Sequence, residues 1–224
     1  MKMDVTEEKL NQLVKLQLSN HFGVPNINIE KAMKISLERI EKNFTHSNNK
    51  YYFNNEGVFF SPYHSGQYSI FLYYLSNTLF KLGKTQLASQ VYYLNKIFNS
   101  VDWYFEIELP DIFGVEHPLG SVLGRAKYSD GFFIYQGCTV GGGNALKPQY
   151  PSIGSNVIMY SNSKILGNSS IGNNVIIAAD TTILNQDIPD NCLVFGKSPN
   201  LTIKEKDEDY MNEYIASFWK IEMN

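Results

Sequence analysis

The sequence has few of the features that mark the commonest special classes of protein. Its 224 residues contain two cysteines, too few for a disulfide-stapled scaffold and not in a metal-type cluster. Lys and Arg number 19 against 22 Asp and Glu, and the net charge of -3 gives no signal for nucleic acid or a polybasic membrane contact. These absences favour a protein of the reducing cytoplasm that does not bind nucleic acid.

The chain also lacks a long hydrophobic run. Its most apolar stretch, Tyr68 to Phe80, is interrupted by Ser76 and Asn77. A membrane-spanning helix needs about 20 apolar residues. The first residues lack the apolar centre of a signal peptide. We therefore expect a soluble protein with no membrane span.

Charge is almost absent between Gly131 and Ala179, where Lys147 and Lys164 are the only charged residues. Within and beyond this stretch, bulky apolar residues recur at every sixth position: Ile134, Val140, Ile153, Met159, Ile165, Ile171, Ile177, Ile183 and Phe195. A helix would space them three or four apart and a half-buried strand two apart. A period of six is typical of a parallel β-helix, in which three repeats complete one triangular coil of about 18 residues.

Residues three repeats apart should stack in such a coil. The predicted stacks are Ile153 under Ile171, Ile165 under Ile183, and Met159 under Ile177 under Phe195. The gap of thirteen residues between Val140 and Ile153 predicts a protruding loop within residues 146–152. A sandwich of short strands is the alternative fold, but sandwiches do not hold a six-residue register over this length.

Other patterns predict the rest of the chain. Residues 1–100 read as an α-helical domain, with Asp4 or Thr6 capping the first helix, Gly23 and Pro25 ending it, and Asn28 capping the second. Residues 101–200 form the predicted coil domain, and residues 201–224 form a helical tail that folds back or docks on a neighbouring subunit. The predicted fold class is thus mixed α+β, with helices first, a β-helix next and a helix at the end.

His117 is the leading candidate for chemistry, because it stands at the start of the coil beside Glu116. An imidazole has an ordinary pKa of about 6.5, which suits a general base for a hydroxyl group. A carboxylate can fix its tautomer and stabilise its protonated form. Glu116 is the nearest candidate, and Glu106 and Glu108 on the preceding predicted strand are the alternatives.

Four motifs then resemble the serine acetyltransferases of the hexapeptide acyltransferase superfamily. They are Gln136-Gly137-Cys138-Thr139-Val140-Gly141-Gly142, Lys164-Ile165-Leu166-Gly167-Asn168, Ile171-Gly172-Asn173-Asn174-Val175 and Gly196-Lys197-Ser198-Pro199. The resemblance implies a left-handed β-helix that forms a homotrimer or a hexamer, with acetyl-CoA as acyl donor between adjacent coils and no metal. It implies that His117 is the catalytic base in an Asp-His pair read here as Glu116-His117, and it places the family's second carboxylate near Glu106.

The resemblance also implies where acetyl-CoA is held. Backbone N–H groups near Gly141 and Gly142 would stabilise the oxyanion. Ser161 and Ala179 would line the path of the pantetheine arm. Lys197 or Lys204 would meet the phosphates.

The acceptor loop departs from the family pattern. Serine acetyltransferases carry Arg-His-Pro where this chain has Gln149-Tyr150-Pro151, and Gln149 cannot supply the charge of a carboxylate-binding guanidinium. An uncharged sugar has no carboxylate to pair with that guanidinium, so its binding loses less when the arginine is absent. The sequence therefore predicts an O-acetyltransferase acting on a sugar or nucleotide sugar in surface polysaccharide synthesis, with serine O-acetylation for cysteine synthesis as the alternative.

Three further interpretations are weaker. Cys138 is a rival nucleophile, but no base adjoins it in sequence, and a small buried side chain is its expected role. A metal-dependent carbonic anhydrase on the same coil would resemble a three-histidine site, and His117 is the only histidine in the coil. A non-catalytic trimeric scaffold would leave His117 without a function.

Overall fold

The computed structural model describes residues 1–24, 27–143, 146 and 148–220. Its helices are α1 (Glu7–Phe22), α2 (Glu30–Thr45), α3 (Ser65–Lys81), α4 (Thr85–Asn99) and α5 (Glu208–Ala216). Its strands are β1 (Lys2–Met3), β2 (Phe53–Asn54), β3 (Gly57–Phe60), β4 (Asp102–Trp103), β5 (Phe113–Val115), β6 (Val122–Leu123), β7 (Lys127–Tyr128), β8 (Phe132–Ile134), β9 (Thr139–Gly141), β10 (Ser152–Ile153), β11 (Ile158–Met159), β12 (Lys164–Leu166), β13 (Ser170–Ile171), β14 (Ile176–Ile177), β15 (Thr182–Leu184), β16 (Cys192–Lys197) and β17 (Asn200–Glu205).

The first helix is bounded by the residues that the sequence indicates. The Thr6 hydroxyl accepts a hydrogen bond from the Lys9 amide at 3.2 Å, and Gly23 ends α1 in the left-handed conformation. Pro25, the second predicted stop, lies outside the described residues. The predicted cap of α2 is wrong, because Ile29 occupies the N-cap and the backbone oxygen of Asn28 accepts from Lys84 Nζ instead.

The coil has three faces built from parallel strand pairs. We call β5, β8, β11, β14 and β16 the tail-covered face, β4, β6, β9, β12 and β15 the open face, and β7, β10 and β13 the polar face. The strands are short, and each is followed by a corner that leads to the next face. Asn156, Asn162 and Asn174 have positive φ angles at such corners, a left-handed backbone conformation that asparagine tolerates. This arrangement confirms the predicted fold class.

The apolar stacks are those predicted in all but the last coil. Ile153 pairs with Ile171, Ile165 with Ile183 and Met159 with Ile177, all in parallel register. Each of these side chains is at most 3% exposed, and together they fill the interior of the coil. Coils of 18 residues therefore follow from the six-residue period in the middle of the repeat.

The predicted inward position of Phe195 is wrong. Val194 pairs above Ile177 and is fully buried, whereas Phe195 is 39% exposed. The cause is a shorter last coil: Asn156 bonds to Asn174 eighteen residues on, but Asn174 bonds to Asn191 seventeen residues on. Because strand side chains alternate between faces, a slip of one residue turns Phe195 outward.

The tail folds back on its own coil. Strand β17 pairs antiparallel with β16, and α5 follows it. Met211, Ile215 and Trp219 pack against residues of the tail-covered face, namely Phe133, Ile158 and Ile176. Of the two predicted arrangements for the tail, the structure therefore has the amphipathic helix that returns to the coil.

The helices and the coil share one continuous hydrophobic core. Buried residues extend without a break from Leu10 in α1, through Trp103, to Val194 in the last coil. None of the described helices combines the length and apolar character needed to cross a bilayer. The predicted loop at residues 146–152 includes Lys147, which lies outside the described residues. Because the helices and the coil share this core, the N-terminal helices are fixed against the first coil, where His117 lies.

Candidate active site

His117 projects from the first corner of the coil. Strand β5 ends at Val115, and the Glu116 amide then donates to the Ile134 backbone oxygen at 3.0 Å. His117 itself adopts a left-handed conformation, with φ of 48°. This turn directs the imidazole away from the core, and its side chain is 79% exposed. The predicted base is therefore accessible to a substrate.

Glu116 lies beside His117 but does not hydrogen-bond to it. The His117 Nε2 and Glu116 Oε1 atoms are 4.0 Å apart, and the carboxylate is 44% exposed. Burial, followed by the Glu116 charge and a hydrogen bond with that carboxylate, raises the pKa of Tyr135. In this structure the Glu116 carboxylate thus lies close to the imidazole and interacts with Tyr135.

An open pocket of about 420 Å³ surrounds these two residues; we call it the His117 pocket. It lies between the first coil, the segment before β2 and the start of α3. Its lining comprises Asn49, Tyr51, Tyr52, Tyr63, His64, Ser65, Gly66, Val115, Glu116 and His117. Among these described lining residues there is no Lys or Arg, so Glu116 carries the only permanent charge.

The sequence reasoning missed a second histidine in this pocket. His64 is the N-cap of α3, and its Nδ1 accepts a hydrogen bond from the Gln67 amide at 3.3 Å. Burial, and secondarily the nearby His117, lowers the pKa of His64. The signal was present as a histidine just before Gly66 at a predicted helix start, but no sequence period links residue 64 to residue 117.

Tyr52 was also missed, and it forms the inner wall of the pocket. Its side chain is buried, and its hydroxyl has no hydrogen-bond partner among the described residues. Burial, reinforced by the charge of Glu116, raises the pKa of this hydroxyl, so it stays protonated. A buried polar atom without a partner is costly and therefore calls for an explanation.

The other carboxylates proposed for His117 lie elsewhere. Glu108 forms an ion pair with Lys81, with 2.7 Å between the charged atoms. Glu106 is exposed, and its charge acts on Arg125. Neither residue lines the His117 pocket. Within one copy of the chain, Glu106 does not reach the imidazole, and its role stays a prediction.

A second open pocket, of about 540 Å³, contains the altered acceptor loop; we call it the Arg125 pocket. Arg125, Gln149 and Tyr150 are among its lining residues. A hydrogen bond with Tyr150 raises the pKa of Arg125, which is exposed. The loop that lacks the family's arginine therefore has a guanidinium beside it from another part of the coil.

The residues predicted to hold acetyl-CoA are spread along the coil. Gly141 ends β9 opposite Leu166, and Gly142 is exposed near the Tyr150 ring. Ser161 is half-buried, and Ala179 is exposed. Two lysines lie on β16 and β17: Lys197 is exposed, and Lys204 lies over the Phe195 ring at 5.6 Å from its centre. None of these residues lines the His117 pocket, and their roles stay predictions.

Cys138 does not have the surroundings of a nucleophile. It is fully buried, and its Sγ donates to the backbone oxygen of Tyr160 at 3.2 Å. Burial raises the pKa of the thiol, which opposes formation of the reactive thiolate. Among the described residues, no group of three or more His, Cys, Asp and Glu side chains is arranged to hold a metal ion.

Comparison with known proteins identifies the class of the coil first. Residues 150–185 match the family described as "Bacterial transferase hexapeptide (six repeats)". These residues form the part of the coil with the most regular stacks.

The particular relatives are serine acetyltransferases. That of Staphylococcus xylosus is 29% identical over 135 residues, which cover 59% of this chain and 62% of that protein. The crystal structure from Vibrio cholerae has a TM-score of 0.71 at 21% identity and covers 93% of this chain and 84% of that one. A Brucella abortus structure in complex with coenzyme A gives 0.66 at 21% identity, covering 91% and 83%.

These comparisons confirm the resemblance inferred from the motifs. The chain is similar to hexapeptide-repeat acyltransferases and, among them, to serine acetyltransferases. The curated relative is matched over 62% of its length, and the solved structures, at 21% identity, share the fold.

Proposed function

We propose that this protein is an acetyl-CoA-dependent O-acetyltransferase whose acceptor is serine, with His117 as the general base. The observation that carries the proposal is the exposed imidazole of His117 in an open pocket, 4.0 Å from the Glu116 carboxylate. The similarity to serine acetyltransferases, one of them in complex with coenzyme A, supports both the donor and the reaction class.

The reaction is a direct transfer. His117 takes the proton from the acceptor hydroxyl as that oxygen attacks the thioester carbonyl. The new carbon–oxygen bond forms, the carbon–sulfur bond breaks, and the imidazolium returns the proton to the departing sulfur. Glu116 stabilises the imidazolium through its charge. Amides near Gly141 and Gly142 are the proposed donors to the oxyanion.

Serine is favoured over a sugar because the relatives are serine acetyltransferases. The sequence placed the sugar first because Gln149 replaces an arginine. Arg125 lies beside Tyr150 of the same loop, in the Arg125 pocket. The sugar stays a second candidate on one observation: the loop residues Gln149 and Tyr150 are themselves uncharged.

We further propose that the protein works as a homotrimer in the cytoplasm. The open face of the coil exposes Val122 and Leu184, which are 39% and 41% accessible, while α4 contacts this face at β4 through Asp102. An apolar face with few charges suits packing against other copies of the same coil. The native mass of the purified protein distinguishes a trimer from a hexamer or a monomer.

The test is release of free thiol from acetyl-CoA in the presence of single acceptors. We expect rapid release with L-serine and little with simple sugars or nucleotide sugars. Release with a nucleotide sugar but not with L-serine would replace the first candidate by the second. Absence of release with every acceptor would contradict the transferase.

A further inference from the structure

We propose that the first turn of α3, together with His64 and Tyr52, forms the subsite that holds the carboxylate of the acceptor. This inference rests on the proposed function and names the acceptor class as a hydroxy acid. It also explains how a pocket without Lys or Arg among its described lining residues can bind an anion.

The start of α3 provides free N–H donors. The Gln67 amide is capped by His64 Nδ1, and the Tyr68 amide donates to the His64 backbone oxygen at 2.9 Å. Among the described residues, the amides of Ser65 and Gly66 have no such acceptor. The helix is 17 residues long and has no acidic residue in its first turn, so its positive end is not neutralised from within. Such an end attracts anions.

His64 adds a side-chain donor at the same place. Because its Nδ1 accepts from the Gln67 amide, the neutral ring carries its proton on Nε2. Burial and the neighbouring His117 favour the neutral ring. His64 therefore offers an N–H group to the pocket without competing with His117 for the proton of the acceptor hydroxyl.

The Tyr52 hydroxyl is the independent sign of a ligand at this helix start. It is a buried donor with no hydrogen-bond partner in the part of the chain that the structure describes, and a side-chain carbon added at Gly66 would lie 2.8 Å from it and 3.3 Å from His64 Cε1. Gly66 thus lets the hydroxyl, the imidazole and the helix start converge. A carboxylate oxygen at this point would provide the acceptor that Tyr52 lacks.

The two ends of the pocket then match an amino acid. The helix start lies on one side, and the negative Glu116 lies on the other, beside His117. A zwitterion with its carboxylate at α3 and its ammonium toward Glu116 would present its hydroxyl to the imidazole. Neutral donors and a helix end would do here what an arginine does in a charged pocket.

The experiment compares L-serine with L-serinamide, which lacks the carboxylate, as acceptors at saturating acetyl-CoA. The key variant is His64→Asn, because asparagine is a good N-cap and keeps α3 capped while removing the Nε2–H group. We expect this variant to lower the ratio of kcat/KM for serine to that for serinamide about 10-fold, mainly through the serine KM. The KM for acetyl-CoA should not change.

Tyr52→Phe should lower the same ratio, and the matched control His21→Asn should leave it unchanged. His21→Asn alters an exposed histidine of α1 whose Nδ1 contacts only the Gln17 backbone oxygen among the described residues. Arg125→Gln tests the rival site for the carboxylate, because it removes the guanidinium beside the acceptor loop. The proposal is overturned if the ratio is unchanged in His64→Asn, or if it is Arg125→Gln that lowers it.

A binding measurement separates this inference from the proposed function. Calorimetry with L-serine and L-serinamide reports the subsite without turnover. The wild-type protein could bind L-serine but release no thiol. If His64→Asn then weakens that binding, the result would support the subsite and contradict the transferase. Turnover with equal preference for both acceptors would support the transferase and contradict the subsite.

Discussion

The first coil and the coils above it are built from the same repeat but carry different kinds of side chain. The first coil places Glu116, His117 and Arg125 at its corners, all with substantial exposure. Across residues 148–184, the charged residues are Lys164 and Asp180, and the corners are held by hydrogen-bonded Asn ladders such as Asn156 to Asn174. The proposed base and its carboxylate therefore belong to the first coil, whereas the upper coils hold the regular stacks and the residues predicted to bind acetyl-CoA.

This division follows from what covers each part. The first coil contacts the helices, and their ends turn one of its corners into an open pocket. The upper coils have α5 on one face only. In the upper coils, Lys164 donates to the Asn162 backbone oxygen and Asp180 accepts from the Asn162 side chain, whereas the Glu116 charge at the first corner lies in the His117 pocket.

Replacement of His117 should have the largest effect on activity. His117→Asn keeps a residue that tolerates the left-handed backbone but removes the base, so kcat should fall on the order of 10²-fold to 10⁴-fold. The Tm should stay close to that of the wild type, because the side chain is 79% exposed. Thiol release and thermal unfolding measure the two effects. Full activity in this variant would contradict the proposal that the first coil provides the catalytic base.

Replacement in the upper coils should have the opposite profile. Ile165→Ala leaves a cavity in the Val140–Ile165–Ile183 stack and should lower the free energy of unfolding by about 2–5 kcal/mol. The kcat of the folded fraction should not change. Denaturant unfolding and thiol release on the same sample check this. A specific loss of kcat at full folding would place chemistry in the framework.

Loss of the Glu116 charge should have a smaller effect than loss of the base. Glu116→Gln removes the anion that stabilises the imidazolium but keeps an acceptor for Tyr135, so we expect kcat/KM to fall about 5-fold. Added salt should lower the kcat/KM of the wild type more than that of the variant, because the Glu116 charge is partly exposed and salt screens it. Equal salt dependence in the two proteins would argue against a charge effect.

The smallest expected effect concerns the pH dependence of stability. The pKa of His64 is lowered in the folded protein, so the unfolded chain binds its proton more readily, and stability falls as pH falls from about 6.5. As the pH is lowered from about 7.5 to about 5.5, the Tm of His64→Asn should therefore fall less than the Tm of the wild type. Ile165→Ala should keep the wild-type pH dependence. Identical pH profiles for wild type and His64→Asn would contradict a disfavoured His64 cation.

The sequence was sufficient for the features that depend on local period. The stacks through Ile153, Met159 and Ile165 follow from spacing alone. Thr6 marks the start of α1 by its side-chain hydroxyl, and Gly23 marks its end by its left-handed backbone. His117 was found because a histidine and a carboxylate adjoin at the first corner. The position of Phe195 was predicted wrongly, because the last coil is one residue shorter and the six-residue period around Phe195 does not show this.

The parts of the site that could not be predicted are those formed between distant segments. His64 and Tyr52 reach the His117 pocket only because the helices pack on the first coil, and nothing in a six-residue period reports that packing. Arg125 likewise meets Tyr150 across 25 residues through the stacking of coils. Periodicity predicts the framework, whereas the pocket depends on tertiary contacts.

The most direct test of the central claim follows the fate of a labelled acetyl group. Wild-type protein is mixed with carbon-labelled acetyl-CoA and L-serine, and both the small molecules and the intact protein are examined by mass spectrometry. The account predicts label on the oxygen of serine, an equal amount of free coenzyme A, and unmodified protein throughout. Label on the protein, or intact acetyl-CoA beside unmodified serine, would contradict it.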